Sequence, residues 1–168
     1  AGEAIHFDKN IEFDILSPEK ANDLIFNKKS ESFGSGGNDV NDTSVVGKLM
    51  FSAKGGSASG GSDFSILFTG DATSRIENQL LVYGKNLNSD ILKVSHHGSK
   101  HSSSLSFLKF VSPKAAIIEV GAKNRYGHPS PAALNRLKMV NSEIFRTDLN
   151  GDIKILTDGF TASIYKEK

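Results

Sequence analysis

The chain has 168 residues, of which 38% are hydrophobic and 23% are charged, which is ordinary for one globular domain. Its formal net charge of +1 gives no overall reason to expect nucleic acid as a partner. The absence of cysteine excludes disulfides and thiolate metal sites, so His, Asp or Glu must supply any metal ligands. No apolar run is long enough to predict a membrane-spanning helix.

The first element is predicted to be a β-hairpin. Ile11, Phe13 and Ile15 alternate with other residues at the period of two that is typical of a strand. Residues 5–7 form its predicted partner strand, and Pro18 ends the hairpin because proline cannot continue a sheet ladder.

Polar segments dominate the region that follows. A brief helix is expected at residues 19–27, before a segment at 28–43 that is rich in Ser, Gly and Asn. We expect that segment to be a flexible loop. Residues 45–51 predict a strand, and residues 54–62 predict a second flexible loop, either a linker or a long hairpin connection to the next strand.

Strands and helices alternate in the middle of the chain. Apolar runs predict buried strands at 64–69, 91–94 and 115–120. The helices between and after them are expected to begin at Ser74, at Ser102 or Ser103, and at Pro129 or Pro131. In the first of these helices, Ser74 and Glu77 match the capping-box pattern.

The C-terminal tail predicts a meander of hairpins. Short strands are expected at 144–146, 153–156 and 161–165, with Asn-Gly and Asp-Gly turns between them. Residues 148–152 resemble the start of a calcium loop but lack its distal Glu, so we interpret them as a hairpin turn. The whole pattern predicts a mixed α+β fold of the α/β class, with a mixed sheet and helices on one face.

Ligand-type side chains follow three of the predicted strands. Asp71 follows the first buried strand, His96 and His97 follow the second, and the loop after the third leads to His128. Because the carboxyl ends of parallel strands share one edge of a sheet, these residues are expected to gather there. One Asp and two or three His can bind zinc, manganese or iron.

Each of these residues also has a purely structural interpretation. An Asp before a helix, such as Asp71, is most often an N-cap. A single histidine is usually a surface residue or a satisfied core residue, which is our interpretation of His6, and we expect His101 to face solvent. Only the combination of strand ends favours a functional site.

Three segments resemble the second half of a metallo-β-lactamase-fold hydrolase. They are FTGDAT (68–73), LKVSHHGSKHSSS (92–104) and PKAAIIEVGAKNRYGHPSPAALNRL (113–137). The likeness is greatest to the hydrolase domain of ComEC-type competence proteins and their stand-alone relatives, and it extends from about Ile5 to the C-terminus. An Asn-x-x-Ser entry to a strand at residues 41–44 is shared as well. The resemblance implies the C-terminal half of an αββα sandwich in one partial domain, residues 1–168.

The resemblance also implies a two-metal site. Asp71 matches the aspartate that bridges two divalent ions, zinc or manganese, and the His pair matches the last metal-binding histidine. Since Leu92, Val94 and His96 alternate, His96 is expected to be the ligand. His97 then lines the site as a catalytic group.

The loop after the third strand is expected to contact the substrate. By the same resemblance, His128 is a catalytic contact to the substrate or its leaving group. Lys123 and Arg125 are expected to bind phosphate, although a solvated loop is an equally simple interpretation.

One departure from the family affects the functional prediction. The family's His-x-His-x-Asp-His motif is missing, and only His6 precedes Asp71. We therefore expect a missing N-terminal half or a homodimer mate to complete the site, and little or no metal in the chain alone. With that partner the chain is expected to be a phosphodiesterase or nuclease that acts on DNA in competence-type uptake. The alternative is a non-catalytic half-domain that binds nucleic acid or a partner protein.

Overall fold

A computed structural model describes residues 1–18, 40–52 and 63–168. The helix expected at 19–27 and the loop expected at 54–62 lie outside the described residues. Of the loop expected at 28–43, only the end is described, and it forms a short 3₁₀ turn, Val40–Thr43. None of the helices in the described ranges is long and apolar enough to cross a membrane.

The described residues form a seven-stranded mixed sheet and a separate two-stranded sheet. The large sheet contains, in spatial and chain order, β1 (Glu3–Asp8), β2 (Ile11–Ser17), β3 (Val46–Phe51), β4 (Phe64–Phe68), β5 (Ile91–Lys93), β6 (Ala115–Ile118) and β7 (Glu143–Arg146). Neighbours from β1 to β4 are antiparallel, and those from β4 to β7 are parallel. The predicted mixed sheet is confirmed.

Besides short 3₁₀ turns, the other elements in the described part of the chain are four α-helices and one hairpin. They are α1 (Ser74–Leu80) with its 3₁₀ continuation Leu81–Leu87, α2 (Leu105–Val111), α3 (Pro131–Met139), the single turn α4 (Thr147–Asn150), β8 (Ile153–Thr157) and β9 (Ala162–Lys166). Pro131 occupies the first turn of α3, as its fixed backbone angle favours.

The N-terminal hairpin forms as predicted. β1 and β2 pair antiparallel with Ile5 opposite Phe13, and β2 ends at Ser17. In the turn between them, the backbone N–H of Asn10 donates a hydrogen bond to the Asp8 carboxylate at 2.7 Å. A side chain that bonds to the backbone two residues later is the usual reason for Asp in such turns.

The helices pack on one face of the large sheet, as predicted. Leu67, Leu92 and Ile118 point to this face from three neighbouring strands and are fully buried. Phe107 of α2 and Leu137 of α3 cover them and are equally buried. Because strand side chains alternate between faces, the same strands send a second apolar set to the opposite face.

The β8–β9 hairpin covers part of that opposite face. Its Ile153, Ile155 and Ile164 pack against a cluster that includes Ile66 and Phe145. The predicted hairpin between the last two strands is confirmed.

The predicted hairpin before β8 is wrong. β7 pairs in parallel with β6 instead, and the chain leaves it through α4. Asp148 does not form a calcium loop, because its carboxylate accepts two hydrogen bonds from the Arg146 guanidinium, at 3.0 and 2.6 Å. The Asn150 side chain accepts from the Arg146 backbone N–H at 2.9 Å, which turns the chain away from the sheet.

The rest of the opposite face is apolar and partly exposed. On β1, Ile5 is 46% and Phe7 is 65% exposed. On the same face the ring of Phe13 lies over Gly47, where an added Cβ would come within 2.1 Å of the ring. Phe68 of β4 contacts Phe13 with ring centroids 6.3 Å apart. This surface, formed by Ile5, Phe7, Phe13 and Phe68, is named the open face below.

Two predicted helix caps are wrong in detail. Thr73, not Ser74, is the N-cap residue of α1, and Glu77 does not form a capping box because its carboxylate bonds to another loop. Ser104, not Ser102 or Ser103, caps α2 by accepting a hydrogen bond from Phe107. The cap of α1 lies one residue before the predicted Ser74. The cap of α2 lies one or two residues after the predicted Ser103 or Ser102.

Candidate metal and substrate site

The carboxyl ends of β4, β5 and β6 bring the predicted site residues to one edge of the sheet. The Nε2 atom of His97 lies 3.8 Å from an Asp71 carboxylate oxygen. The ring centroid of His96 lies 5.7 Å from that of His128 and 6.4 Å from that of His97. The three strand ends therefore meet as the topology requires.

The His97 ring is oriented by a backbone carbonyl. Its Nδ1 atom lies 2.6 Å from the carbonyl oxygen of Glu119. A carbonyl oxygen only accepts, so Nδ1 carries a proton, and Nε2 is the ring nitrogen that faces Asp71. Metal-binding histidines are commonly oriented in this way, through the nitrogen that does not hold the metal.

The strand alternation that was expected to extend to His96 stops before it, so that prediction is wrong in its premise. β5 ends at Lys93, and both His96 and His97 have left-handed backbone angles, with φ of 48° and 53°. The period of two therefore stops before His96. Its backbone N–H donates to the carbonyl of Gly70 at 3.1 Å, which joins the two strand ends, and its ring contacts that of His128.

Asp71 is positioned by the segment that precedes β3. The hydroxyl of Ser44 accepts a hydrogen bond from the Asp71 backbone N–H at 3.1 Å. Asp42 accepts from the Thr73 hydroxyl and from the Arg75 guanidinium, the latter at 3.0 Å. The Asn-x-x-Ser segment thus holds the loop that presents Asp71, a role that the sequence pattern alone did not reveal.

Gly98 permits a close approach between two of the loops. Its φ of +80° lies in the region that favours glycine, and an added Cβ would lie 2.6 Å from the Cβ of Pro129. The carbonyl of Gly98 accepts a hydrogen bond from Ser130 at 2.9 Å. The histidine turn and the segment that carries His128 are therefore packed directly against each other.

Two charged side chains hold the loop that follows the histidine turn. The buried Glu77 carboxylate accepts hydrogen bonds from the backbone N–H groups of Ser103 and Ser104. Arg136 donates to the carbonyls of Lys100, Ser102 and Ser103. We name this arrangement the loop clamp, and the sequence analysis missed it because both partners are distant along the chain.

His128 combines burial with an unsatisfied nitrogen. Its Nδ1 atom is buried and has no hydrogen-bond partner among the described residues. Burial, and secondarily the neighbouring His96 and His97, lower the pKa of His128, while Asp71 acts in the opposite direction. The Asn124 side chain fixes the His128 backbone by donating to its carbonyl at 2.8 Å and accepting from its N–H at 3.1 Å.

The loop before His128 borders a shallow pocket of about 340 Å³. His97, Glu119 and His128 line the pocket together with Tyr126. Lys123 and Arg125 are exposed on the same loop. Sequence analysis did not identify Tyr126, although an aromatic residue in a polar loop is a usable signal.

No group of three or more His, Cys, Asp or Glu side chains within residues 1–18, 40–52 and 63–168 could hold a metal ion. Asp71 and His97 are close, but the other predicted residues do not join them as a complete set of ligands. His101 is exposed, as predicted, and His6 is a surface residue.

Comparison with known proteins supports a relationship to a competence-related family. No model of a protein family matches the chain. ComE operon protein 3 of Bacillus subtilis is 32% identical over 146 residues, which is 87% of this chain and 16% of that protein. Competence protein ComA of Neisseria gonorrhoeae is 42% identical over 91 residues, 54% of this chain and 13% of that protein. Recombination protein 2 of Haemophilus influenzae is 35% identical over 92 residues, 54% of this chain and 11% of that protein. The chain thus spans less than one fifth of each of these relatives.

Proposed function

We propose that this chain carries part of the active site of a metal-dependent phosphodiesterase that acts on DNA. The observation that carries the proposal is the pair of His97 Nε2 and Asp71 Oδ1, 3.8 Å apart at adjacent strand ends. The Glu119 carbonyl leaves the His97 nitrogen that faces Asp71 free to donate its lone pair.

The donor chemistry of this pair fits a divalent metal ion. Imidazole and carboxylate together suit zinc and manganese, the two metals that the family resemblance implies. When bound, such an ion acts as a Lewis acid on a phosphoryl oxygen. Asp71 and His97 would hold it, while His128 lies next to the pair as a group that can exchange a proton with the leaving oxygen.

DNA is the substrate that the relatives favour. Two of the relatives are named for competence and one for recombination. Lys123 and Arg125 are exposed on the loop that borders the pocket, where cations can neutralise phosphate groups. We propose that they position the DNA backbone beside Asp71 and His97.

A second sheet is proposed to cover the open face and to bring the remaining ligands. Structural zinc sites have four ligands and catalytic ones at least three, more than Asp71 and His97 provide. The open face carries large exposed side chains such as Phe7, and contiguous apolar surface of this kind marks a contact site. The covering sheet comes either from another polypeptide segment, as an N-terminal half, or from a second copy. The chain together with this sheet is called the assembled domain below.

The open face is expected to make the isolated chain self-associate. Substitution of Phe7 by Glu places a charge in the face and should shift the chain toward monomer in sedimentation velocity experiments at increasing concentration. Phe110→Glu, on the 43% exposed Phe110 of α2, is the matched control and should leave association unchanged. A discrete wild-type dimer identifies a second copy as the partner, and open-ended association identifies another segment. A wild-type chain that stays monomeric contradicts the proposal.

Metal binding tests the proposed function directly. Titration of the assembled domain with Mn²⁺ should broaden the NMR signals of residues around Asp71 and His97, because a paramagnetic ion relaxes nearby nuclei. Asp71→Asn should raise the Mn²⁺ concentration needed for the same broadening by roughly tenfold or more, because it removes one charged ligand. Asp148→Asn serves as the control, because the Asp148 carboxylate already accepts hydrogen bonds from the Arg146 guanidinium.

Two further outcomes decide between the proposed functions. If Mn²⁺ broadens signals at random over the surface, the metal site is absent. The chain is then better described by the alternative function, a non-catalytic module that binds nucleic acid or a partner protein. Hydrolysis of single-stranded DNA by the assembled domain with Mn²⁺ or Zn²⁺, lost in Asp71→Asn, would complete the case for the enzyme.

A further inference from the structure

We infer that Tyr126 is a stacking platform for one unpaired nucleobase at the edge of the site. The inference rests on the proposed action on DNA and specifies its substrate as single-stranded DNA or a frayed end. Tyr126 is 85% exposed although it is aromatic, and it contributes nothing to either apolar core cluster. Its ring is therefore accessible to a ligand.

The ring of Tyr126 contacts a residue of the candidate site. It stacks on the His128 ring with an angle of 19° between the planes and 6.2 Å between the centroids. The backbone of His128 is fixed in turn by two of the side-chain hydrogen bonds of Asn124. The contact with His128 limits the orientations of the Tyr126 ring, so less conformational entropy is lost when a ligand stacks on it.

The surroundings of Tyr126 suit a nucleotide. Its ring borders the pocket of about 340 Å³ that His97 and His128 also line, near the lower end of the roughly 300–1,000 Å³ typical of ligand sites. Lys123 and Arg125 flank it on the loop, and neither forms an ion pair with a described residue. Cations beside an exposed aromatic ring are the combination with which proteins bind single strands.

A preference for single-stranded over double-stranded DNA follows from the same geometry. In the interior of duplex DNA both faces of each base are already stacked, so a single protein ring on a loop can stack only on an unpaired base or at a duplex end. Tyr126 adjoins the pocket that contains His97, so the stacked base would belong to a nucleotide close to the reacting phosphate. The preference for single strands would thus arise at the site itself.

Fluorescence anisotropy with a labelled single-stranded oligonucleotide tests the inference in the presence of a chelator, so that hydrolysis plays no part. Tyr126→Ala should bind roughly tenfold more weakly, and Tyr126→Phe should bind as the wild type does. Tyr165→Ala removes another exposed tyrosine, on β9, and should have no effect. A second probe is a sugar-phosphate oligomer of the same length and charge that lacks bases. Its affinity for the wild type should be as low as the affinity of the normal oligonucleotide for Tyr126→Ala.

The outcomes separate this inference from the proposed function. Equal affinities of the wild type and Tyr126→Ala overturn the platform, as does an absence of any binding by the wild type or equal binding of the oligomer without bases. If Mn²⁺ causes no site-specific broadening but DNA affinity still depends on Tyr126, the proposed hydrolase is contradicted and the inference about Tyr126 is supported. A change in thermal unfolding is not expected for Tyr126→Ala, because the side chain is exposed.

Discussion

Substitution of Glu77 by Ala is expected to lower the free energy of unfolding by about 3 kcal/mol, because one buried and one half-buried N–H group lose the only acceptor that the described residues provide. Those groups belong to Ser103 and Ser104, and the Glu77 side chain is fully buried. An unsatisfied buried donor costs its full desolvation energy, and the removed side chain leaves a cavity as well. Urea denaturation of the wild type and the variant measures the difference.

Gln79→Ala is the matched control for this prediction. Gln79 is exposed on the same helix, α1, two residues from Glu77, so its removal should change the free energy of unfolding by less than about 0.5 kcal/mol. If both variants lose the same stability, the loop clamp does not stabilise the fold.

The loop clamp also makes stability depend on pH. Burial raises the pKa of Glu77 above its ordinary value, against the opposing effects of the Ser104 and Ser103 N–H groups and of Arg136. The folded protein therefore binds this proton more tightly than the unfolded chain. The resulting stabilisation is complete below the unfolded pKa of about 4.3 and is lost as the pH rises through the raised folded pKa. Glu77→Gln cannot titrate, so the wild type should gain stability relative to it between pH 7 and pH 4.

The strands and helices were predictable because their signals are local. The alternation of Ile11, Phe13 and Ile15 reflects a strand with two different faces, and the first proline of α3 reflects the missing hydrogen bond at a helix start. The apolar runs of β4, β5 and β6 followed by helix patterns fixed the class of the fold.

The errors arise where distant residues compete with local ones. Ser74 and Glu77 satisfy the capping-box spacing, but the N–H groups of the loop after the histidine turn compete successfully for the Glu77 carboxylate. Likewise the turn at Asn150 allows a hairpin, yet β7 gains more by pairing with the buried β6. Neither competition is visible in a window of ten residues.

The membership of the site was more predictable than its geometry. Asp71, His96, His97 and His128 meet because strand ends must meet, which topology alone implies. The orientation of each ring depends on single hydrogen bonds, such as that from His97 to the Glu119 carbonyl. It also depends on two left-handed residues in succession, which no alternation rule predicts.

The two histidines can be distinguished by their effects on hydrolysis. In the assembled domain, His97→Ala is expected to lower kcat/KM for single-stranded DNA by at least about 100-fold, the upper range for loss of a group that merely orients a ligand. The physical reason is that the His97 Nε2 atom faces Asp71, while the His96 ring packs against His128. His96→Ala should therefore cost about tenfold, through displacement of His128.

His101→Ala provides the control for this comparison, because His101 is exposed and lies four residues after His97. It should leave kcat/KM unchanged. A larger loss in His96→Ala than in His97→Ala would return the metal-ligand role to His96, as the alternation of β5 first predicted. The proposed reassignment depends on one structural fact: β5 ends at Lys93, and the next residues turn the His97 ring, not the His96 ring, toward Asp71. Measured metal affinities of the two variants should follow the same order as their activities, because the ring that holds the ion must govern both.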